Sequence, residues 1–311
     1  MDLRQIENII AIEQEQSISR AAEKLFLTQS ALNQQLLKLE KELGTPLFER
    51  RKHSMIPTFA GRIYLTTAHQ IIDMKQETYK IIRDISEETA GEISVAYTPE
   101  VGATMFSNVY PVFHERYPNI IFRIREDRVK KMEQLLFQRE VTLAFIAYYE
   151  ASRHEELEYI NMDDELLVLG LPVNHPLAPL AGSKSYETLP LIDLKLLKYD
   201  QFILLGKETR MRDMIDSAFR YAGFNPKIMF ESSSTRTVLN MVKNKLGPAF
   251  FPQSYVDPAA PIAYFTVEPK QRWIRSVAFL KGAYLTKPEK YFIALATEYT
   301  RGRLTESMGG Q

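Results

Sequence analysis

Residues 28–44 read Thr28-Gln29-Ser30-Ala31-Leu32-Asn33-Gln34-Gln35-Leu36-Leu37-Lys38-Leu39-Glu40-Lys41-Glu42-Leu43-Gly44, and this stretch decides how the N-terminal part folds. Leu32, Leu36, Leu39 and Leu43 recur at spacings of 4, 3 and 4, the period of a helix with one buried face. Thr28 is a suitable N-cap, and Gly44 followed by Thr45-Pro46 is an ordinary helix stop. With the leucines buried, a rotation of about 100° per residue puts Ser30, Asn33, Gln34, Lys38 and Lys41 on the opposite face. No acid falls between Thr28 and Lys38, and the exposed groups there are mostly amides and hydroxyls. Such groups donate and accept at once. An Asn or Gln bonded bidentately to adenine contributes about 1–3 kcal/mol of discrimination in a major groove.

Upstream, Leu3, Ile6, Ile9 and Ile10 form an apolar stripe at helical spacing. A second helix is expected after Ser17-Ile18-Ser19, with Ser19 as N-cap and Ala21, Ala22 and Leu25 facing inward, broken by Phe26-Leu27. Two short helices with a tight break match a helix-turn-helix, against the competing reading of a solvated face on an ordinary three-helix domain. Downstream, Arg50, Arg51, Lys52 and Arg62 give four cations and no acid between residues 50 and 62. Arg51-Lys52-His53-Ser54 reads as a hairpin tip leading into Met55-Ile56, the position of a wing beside a recognition helix. Phosphate contacts from such a wing fix register without reading bases.

These segments resemble the LysR-type transcriptional regulators. The resemblance rests on Ser17-Ile18-Ser19-Arg20-Ala21-Ala22, Leu27-Thr28-Gln29-Ser30-Ala31-Leu32, Leu39-Glu40-Lys41-Glu42-Leu43-Gly44, Pro46-Leu47-Phe48-Glu49-Arg50 and Thr58-Phe59-Ala60-Gly61, in order and at the family's spacing. Two departures stand out. Asn33-Gln34-Gln35 lies where the family often has a serine and then a basic or polar residue before the mid-helix glutamine, which implies an altered operator sequence. Pro57 precedes Thr58 where leucine is usual, which re-aims the strand leaving the wing. Both lines of argument give Gln29, Ser30, Asn33 and Gln34 as candidates for base edges or the groove. Thr28, Lys38, Arg50, Arg51 and Lys52 are candidates for phosphate or the minor groove.

The chain has 311 residues, enough for two or three folding units. Basic and acidic residues balance at 39 each, so any polyanion site must be local. There is no cysteine, which excludes disulfides, thiolate nucleophiles and cysteine-held metal clusters. The N-terminus carries charge on both sides of its first apolar positions, unlike a signal peptide, and no stretch approaches the roughly 20 apolar residues of a membrane span. A cytoplasmic protein with no membrane partner is expected.

Residues 59–88 read as one helix of about 45 Å. Tyr64, Ala68, Ile71, Ile82 and Ile85 form a seam interrupted by Lys75 and Thr78, and Leu65, Ile72 and Tyr79 form a flanking row. A helix this long cannot bury that stripe alone, so a partner helix is expected, against the alternative that the stripe packs on the protein's own C-terminal half. The resemblance implies a homodimer, with homotetramers built as pairs of dimers.

Behind this helix, β-rich runs alternate with helical ones. Glu92–Tyr97, Ile120–Ile124 and Leu143–Ala147 read as strands, with helices at Glu100–Arg116 and Val129–Arg139 between them, hence a mainly parallel sheet. A second set runs through Leu166–Leu171, Phe202–Leu205, Lys227–Glu231 and Pro248–Phe251, before Trp273–Leu280 and a last helix near Pro288–Thr300. Two lobes with crossing connections resemble the effector domain of the same family, which is similar to periplasmic solute-binding proteins. The expected fold is α+β and multidomain. A winged helix-turn-helix (1–58) is followed by a linker and dimerisation helix (59–89), a two-lobed α/β effector-binding domain (90–301) and a tail (302–311). Lobe I covers about 90–165 and 268–301, and lobe II about 166–267.

Open α/β sheets bind ligands at the C-terminal ends of their strands. That rule selects Thr98, Pro99, Glu100 and Tyr148 in one lobe, and Leu205, Gly206, Thr209, Ser232, Ser233, Ser234, Pro252 and Gln253 in the other. For the serines, simple N-capping competes with a ligand role, and Tyr97, Tyr148 and Tyr149 are bulky enough to fill the cleft. Glu100 and Arg128 could hold the two ends of a zwitterion such as an amino acid, with organic acids as further candidate effectors. The competing reading is that the two pair with each other or face solvent. Asp163-Asp164-Glu165 reads as a solvated connection between lobes. An enzyme is not expected: the five histidines are scattered, and no G-x-S-x-G elbow, phosphate loop or dinucleotide fingerprint occurs. No cofactor or metal is implied. The reading is a ligand-responsive transcriptional regulator with promoter DNA, a small-molecule effector and RNA polymerase as partners. A solute-binding protein of a transport system, without DNA binding, is the alternative.

Overall fold

The computed structural model describes residues 2–51, 54–85, 90–182 and 189–302, with the side chains of Arg83 and Ile85 outside that description. The chain divides into two compact units, residues 1–88 and 89–311.

The first unit opens with α1 (Leu3–Glu15), α2 (Ile18–Lys24) and α3 (Gln29–Leu43). The antiparallel hairpin β1 (Phe48–Arg51) and β2 (Ser54–Pro57) follows, and then α4 (Phe59–Ile85). Each helix start has a side-chain acceptor. Asp2 caps Gln5 N, Ser17 caps Arg20 N, Thr28 caps Ala31 N and Thr58 receives Gly61 N. The second cap corrects the expectation for Ser19: Ser17 has the extended backbone a cap requires, whereas Ser19 already lies in the first turn. Gly44 ends α3 in the left-handed region at φ +69°.

Leu32, Leu36 and Leu39 pack against Ile6, Ile9, Ile12, Ala21 and Ala22. Leu43 does not continue the buried row and is 46% exposed. The next tie beyond Leu39 comes instead from Glu40, whose carboxylate accepts from Leu47 N and Phe48 N and fastens α3 to β1. The chain enters α4 tightly, since a Cβ on Gly61 would lie 2.0 Å from the Leu47 carbonyl oxygen.

The long helix corrects the expected seam. Leu65 and Ala68 are buried in this unit's own core, and Tyr64, Ile71 and Ile72 pack against it. His69 meets Glu13 at 3.1 Å and Lys75 meets Glu7 at 3.0 Å, so α1 covers this face. Among the described residues, the large apolar side chains exposed on α4 are Phe59, Ile63, Met74, Tyr79 and Ile82.

The second unit is built on β3 (Gly91–Tyr97), β4 (Ile120–Glu126), β5 (Leu143–Tyr148), β6 (Leu157–Pro172), β7 (Gln201–Leu205), β8 (Lys227–Ser232), β9 (Ala249–Pro252), β10 (Ile262–Phe265) and β11 (Arg272–Leu280). The helices are α5 (Val101–Arg116), α6 (Val129–Phe137), α7 (Arg210–Ala222), α8 (Thr235–Lys243) and α9 (Lys287–Thr300). The strand order is β4-β3-β5-β11-β6-β9-β7-β8, with β10 also on β6. The 16-residue β6 is shared: its first part pairs with β11, and its last part with β9 and β10. We call the β4-β3-β5-β11 side lobe I and the β9-β7-β8 side lobe II.

Alternation along the strands sends Ile93, Val95, Leu143 and Phe145 to one face of lobe I, and Ala96, Ala144 and Ile146 to the other, each with its own helix cover. Lobe II has a single core around Phe202, Phe219, Phe250, Phe251 and Phe265.

Sequence reading missed β10 and the first part of β6. Asp163, Asp164 and Glu165 are not a solvated connection but lie inside β6, because β11 supplies a donor to each: Arg275 to Asp163, Arg272 to Asp164 and the Trp273 indole to Glu165. Among the described residues, no helix is long and apolar enough to cross a membrane.

Candidate functional site

The N-cap Thr28 and, on α3, Gln29, Ser30, Gln34 and Lys38 are exposed, and Asn33 is half-buried. Two contacts sort the three successive amides. Arg50 of β1 donates to Asn33 Oδ1 at 2.7 Å, which ties the hairpin to the helix face. Gln35 accepts from the buried Asn8 of α1, so its amide belongs to the helix packing. Gln34 lies between them and points to solvent. Thr28 spends its lone pair on Ala31 N. Arg51 pairs at 3.4 Å with Glu49, both well exposed, and Lys52 lies outside the described residues. The result is an amide and hydroxyl surface flanked by guanidinium groups, with Asn33 and Arg50 held as a pair. Sequence reading missed Asn8 and Glu40, which position this surface from outside it; no local pattern signals either.

In the second unit, a cavity of about 380 Å³ lies between the lobes. This is within the range of small-molecule sites. Of the residues selected from sequence, Thr98, Pro99, Glu100, Arg128, Leu205, Thr209, Ser233, Ser234 and Pro252 line it. Four others do not. Tyr148 is buried, its hydroxyl donating to Asn161 at 3.0 Å and its ring against Tyr159. Gly206 and Ser232 are tied together by the bond from Gly206 N to the Ser232 carbonyl. Gln253 opens a short 3-10 segment and is not among the lining residues. Tyr97 is buried in the lobe I core rather than filling the cleft.

Glu100 and Arg128 are not paired with each other. Glu100 accepts from Ser234 Oγ at 2.6 Å and from the Tyr255 hydroxyl at 3.0 Å, both in lobe II. Arg128 reaches Glu208 at 3.1 Å. Neither is left free for the end of a zwitterion. Further bridges between lobes join Lys130 to Asp213 at 3.3 Å and Arg210 to Glu133 at 2.6 Å. The last pair is buried, and among the described residues Glu133 Oε1 has no hydrogen-bond partner.

Sequence reading also missed Glu165, Tyr255, Trp273 and Arg275, which line the same cavity from strands and turns whose pairing is long-range. Burial, together with the Glu100 charge and hydrogen bond, raises the Tyr255 phenol pKa, so its proton stays on the bond to Glu100. Burial disfavours the Arg275 charge, but the Asp163 hydrogen bond with the charges of Glu165 and Asp163 outweighs it, and its pKa is raised.

A helix-turn-helix with a two-stranded wing, followed along the chain by a long helix and a two-lobed α/β unit enclosing a cavity at its strand ends, defines a DNA-binding regulator with an effector domain. Residues 3–62 match the bacterial regulatory helix-turn-helix protein, lysR family, and residues 86–301 match the LysR substrate binding domain. The chain belongs to the LysR family and is a DNA-binding transcriptional regulator with an effector-binding domain.

Among its relatives is the HTH-type transcriptional regulator BsdA of Bacillus subtilis (strain 168), 28% identical over 301 residues, which cover 95% of this chain and 100% of BsdA. A full-length OxyR variant from Pseudomonas aeruginosa is similar in fold at a TM-score of 0.68 and 24% identity, covering 97% of this chain and 95% of that one. Full-length CbnR in complex with its target DNA is similar at a TM-score of 0.53 and 20% identity, covering 95% of this chain and 99% of that one.

Proposed function

We propose that residues 1–58 bind promoter DNA, that the helix of residues 59–89 pairs with its copy in a homodimer or homotetramer, and that residues 90–301 respond to a small-molecule effector in the interlobe cavity. In this reading Gln29, Ser30 and Gln34 meet base edges, with Asn33 presented by Arg50, while Thr28, Lys38, Arg51 and Lys52 meet the backbone or the minor groove. The observation that carries it is the exposed α3 surface, on which Gln34, alone of three successive amides, has no side-chain hydrogen bond among the described residues, beside the Arg50–Asn33 pair. RNA polymerase is a further partner, and the cytoplasm is the compartment where all of these meet.

Self-association has support of its own. At about 100° per residue, Phe59, Ile63 and Met74 fall within about 60° of one another on α4, and all three are exposed. The edge strands β4 and β8 also expose Ile121, Ile228, Met229 and Phe230. An effector can shift the lobes only by its difference in affinity between their arrangements, and the bridges from Glu100, Arg128, Lys130 and Arg210 are the contacts that such a shift would rearrange.

Fluorescence anisotropy of wild type, Gln34→Ala and Arg51→Ala on specific and random duplexes tests the DNA reading. Gln34→Ala is expected to lose about 1–3 kcal/mol on the preferred sequence alone, and Arg51→Ala to weaken every duplex and lower the salt slope by about 1. Equal losses on both duplexes for Gln34→Ala would remove its reading role.

A further inference from the structure

Phe26, at 97% exposure, is the most exposed large apolar side chain among the described residues, while its neighbours Leu25 and Leu27 pack against the core of the first unit. It also holds φ at +56°. The other non-glycine residues with positive φ among the described residues are Gln16, Arg139 and Lys245, all polar.

The turn accounts for the backbone but not for the ring. Phe26 N donates to the Glu23 carbonyl at 3.1 Å and Leu27 N to the Ala22 carbonyl at 2.8 Å, which closes α2 through a left-handed residue. Glycine or asparagine would make the same bonds with less strain, and neither would hold a ring in water. Strain and exposed apolar surface that packing does not repay are features of functional positions.

The place of the ring names its partner. A recognition helix meets base edges with its N-terminal residues, and Phe26 stands two residues before the N-cap of α3, continuous with the exposed Thr28, Gln29 and Ser30. The three residue steps from Phe26 to Gln29 reach at most about 10 Å, or about three base steps along one strand. The amides and hydroxyls of α3 read hydrogen-bonding groups, whereas thymine also presents a C5-methyl group that an apolar ring recognises. Resting on the reading of α3 as the recognition helix, we propose that Phe26 is a further specificity-determining residue. Its ring packs on the C5-methyl of one thymine at the edge of the major groove, within about three base pairs of the pair met by Gln29.

The probe is the duplex that the full-length wild type enriches from a random pool, with each thymine replaced in turn by uracil, which removes the methyl group alone. Fluorescence anisotropy compares wild type, Phe26→Asn, Phe26→Leu and Gln29→Ala, and urea midpoints confirm that each variant is folded. Uracil at one position of a half-site should weaken the wild type about 4-fold, the worth of one buried methyl group. Phe26→Asn should bind the parent duplex about 4-fold more weakly and be indifferent to that uracil, and the apolar Phe26→Leu should keep the preference. The base pair at which Gln29→Ala alters preference locates α3 on the duplex. A wild type indifferent to every uracil, a sensitive thymine farther away than about three base pairs, or Phe26→Asn with the wild-type uracil profile would overturn the assignment. In those cases a preference altered by Gln29→Ala leaves the reading of α3 standing. If the wild type enriches no duplex, the inference and that reading fall together.

Discussion

Phe26 holds φ at +56° in the turn between α2 and α3 while 97% of it is exposed. A left-handed conformation costs an ordinary L-residue about 1–2 kcal/mol, whereas Asn reaches it more easily. Phe26→Asn should therefore raise stability by about 1 kcal/mol, read as a higher urea midpoint at unchanged slope; an unchanged or lower midpoint would contradict the assignment of strain to this position. At this scale the sequence is legible wherever a residue acts on its neighbours. Thr28 and Gly44 mark the ends of α3 because caps work within one turn. Helical rotation selects Gln34 over Gln35 in the sequence, but that Gln35 is engaged depends on Asn8 of another helix and is not legible there. Glu165 and Arg275 escape a sequence reading for the same reason: 89 residues separate Glu165 from Ser254, and 112 separate Arg275 from Asp163.

Among the elements, α4 shows where periodicity misleads. Helical spacing located the apolar rows but not their partners, and α1 covers the row of Tyr64, Ala68 and Ile71 through a core shared with α2 and α3. The His69–Glu13 contact between α4 and α1 makes a pH prediction. The Glu13 hydrogen bond raises the His69 pKa, against opposing burial and with help from the charges of Glu13 and Asp73. Because the folded pKa lies above the unfolded value of 6.5, the pair's contribution is complete below pH 6.5 and is lost as pH rises through the folded pKa. Both side chains are about a third or more exposed, so screening limits the effect to about 0.5 kcal/mol. The denaturation midpoints of wild type and His69→Gln should differ most below pH 6.5 and converge above the folded pKa; a gap that widens at alkaline pH would reverse the assignment. The first part of β6 was hidden for a related reason: three successive acids break the alternation of a strand, and only the donors of β11 make them tolerable there.

For the whole molecule, a net charge of zero means that DNA attraction rests on local groups rather than on an overall field. Within the second unit, the Arg210–Glu133 bridge joins the lobes away from water. Arg210→Met should cost about 3–5 kcal/mol, because it takes from the buried Glu133 its closest cation and leaves only His154 at 3.6 Å, and adding Glu133→Gln should restore much of the loss; a single substitution as mild as the double would mean that the pair does not hold the lobes. The order of units along the chain was readable because a 3.6-residue period gives way to short β-rich runs near Gly91, whereas much of the cavity lining was not, because Glu165, Trp273 and Arg275 reach it through the long-range pairing of β6 with β11. The central claim is that the amide surface of α3 reads bases while the hairpin holds phosphate, in a protein presented in duplicate. Selection of binding sites from a random duplex pool by the full chain, with heparin as competitor, tests it most directly. Enrichment of a motif with two-fold symmetry by wild type, with its base preference relaxed by Gln34→Ala, is the predicted result; a pool that stays random after repeated rounds would contradict the account.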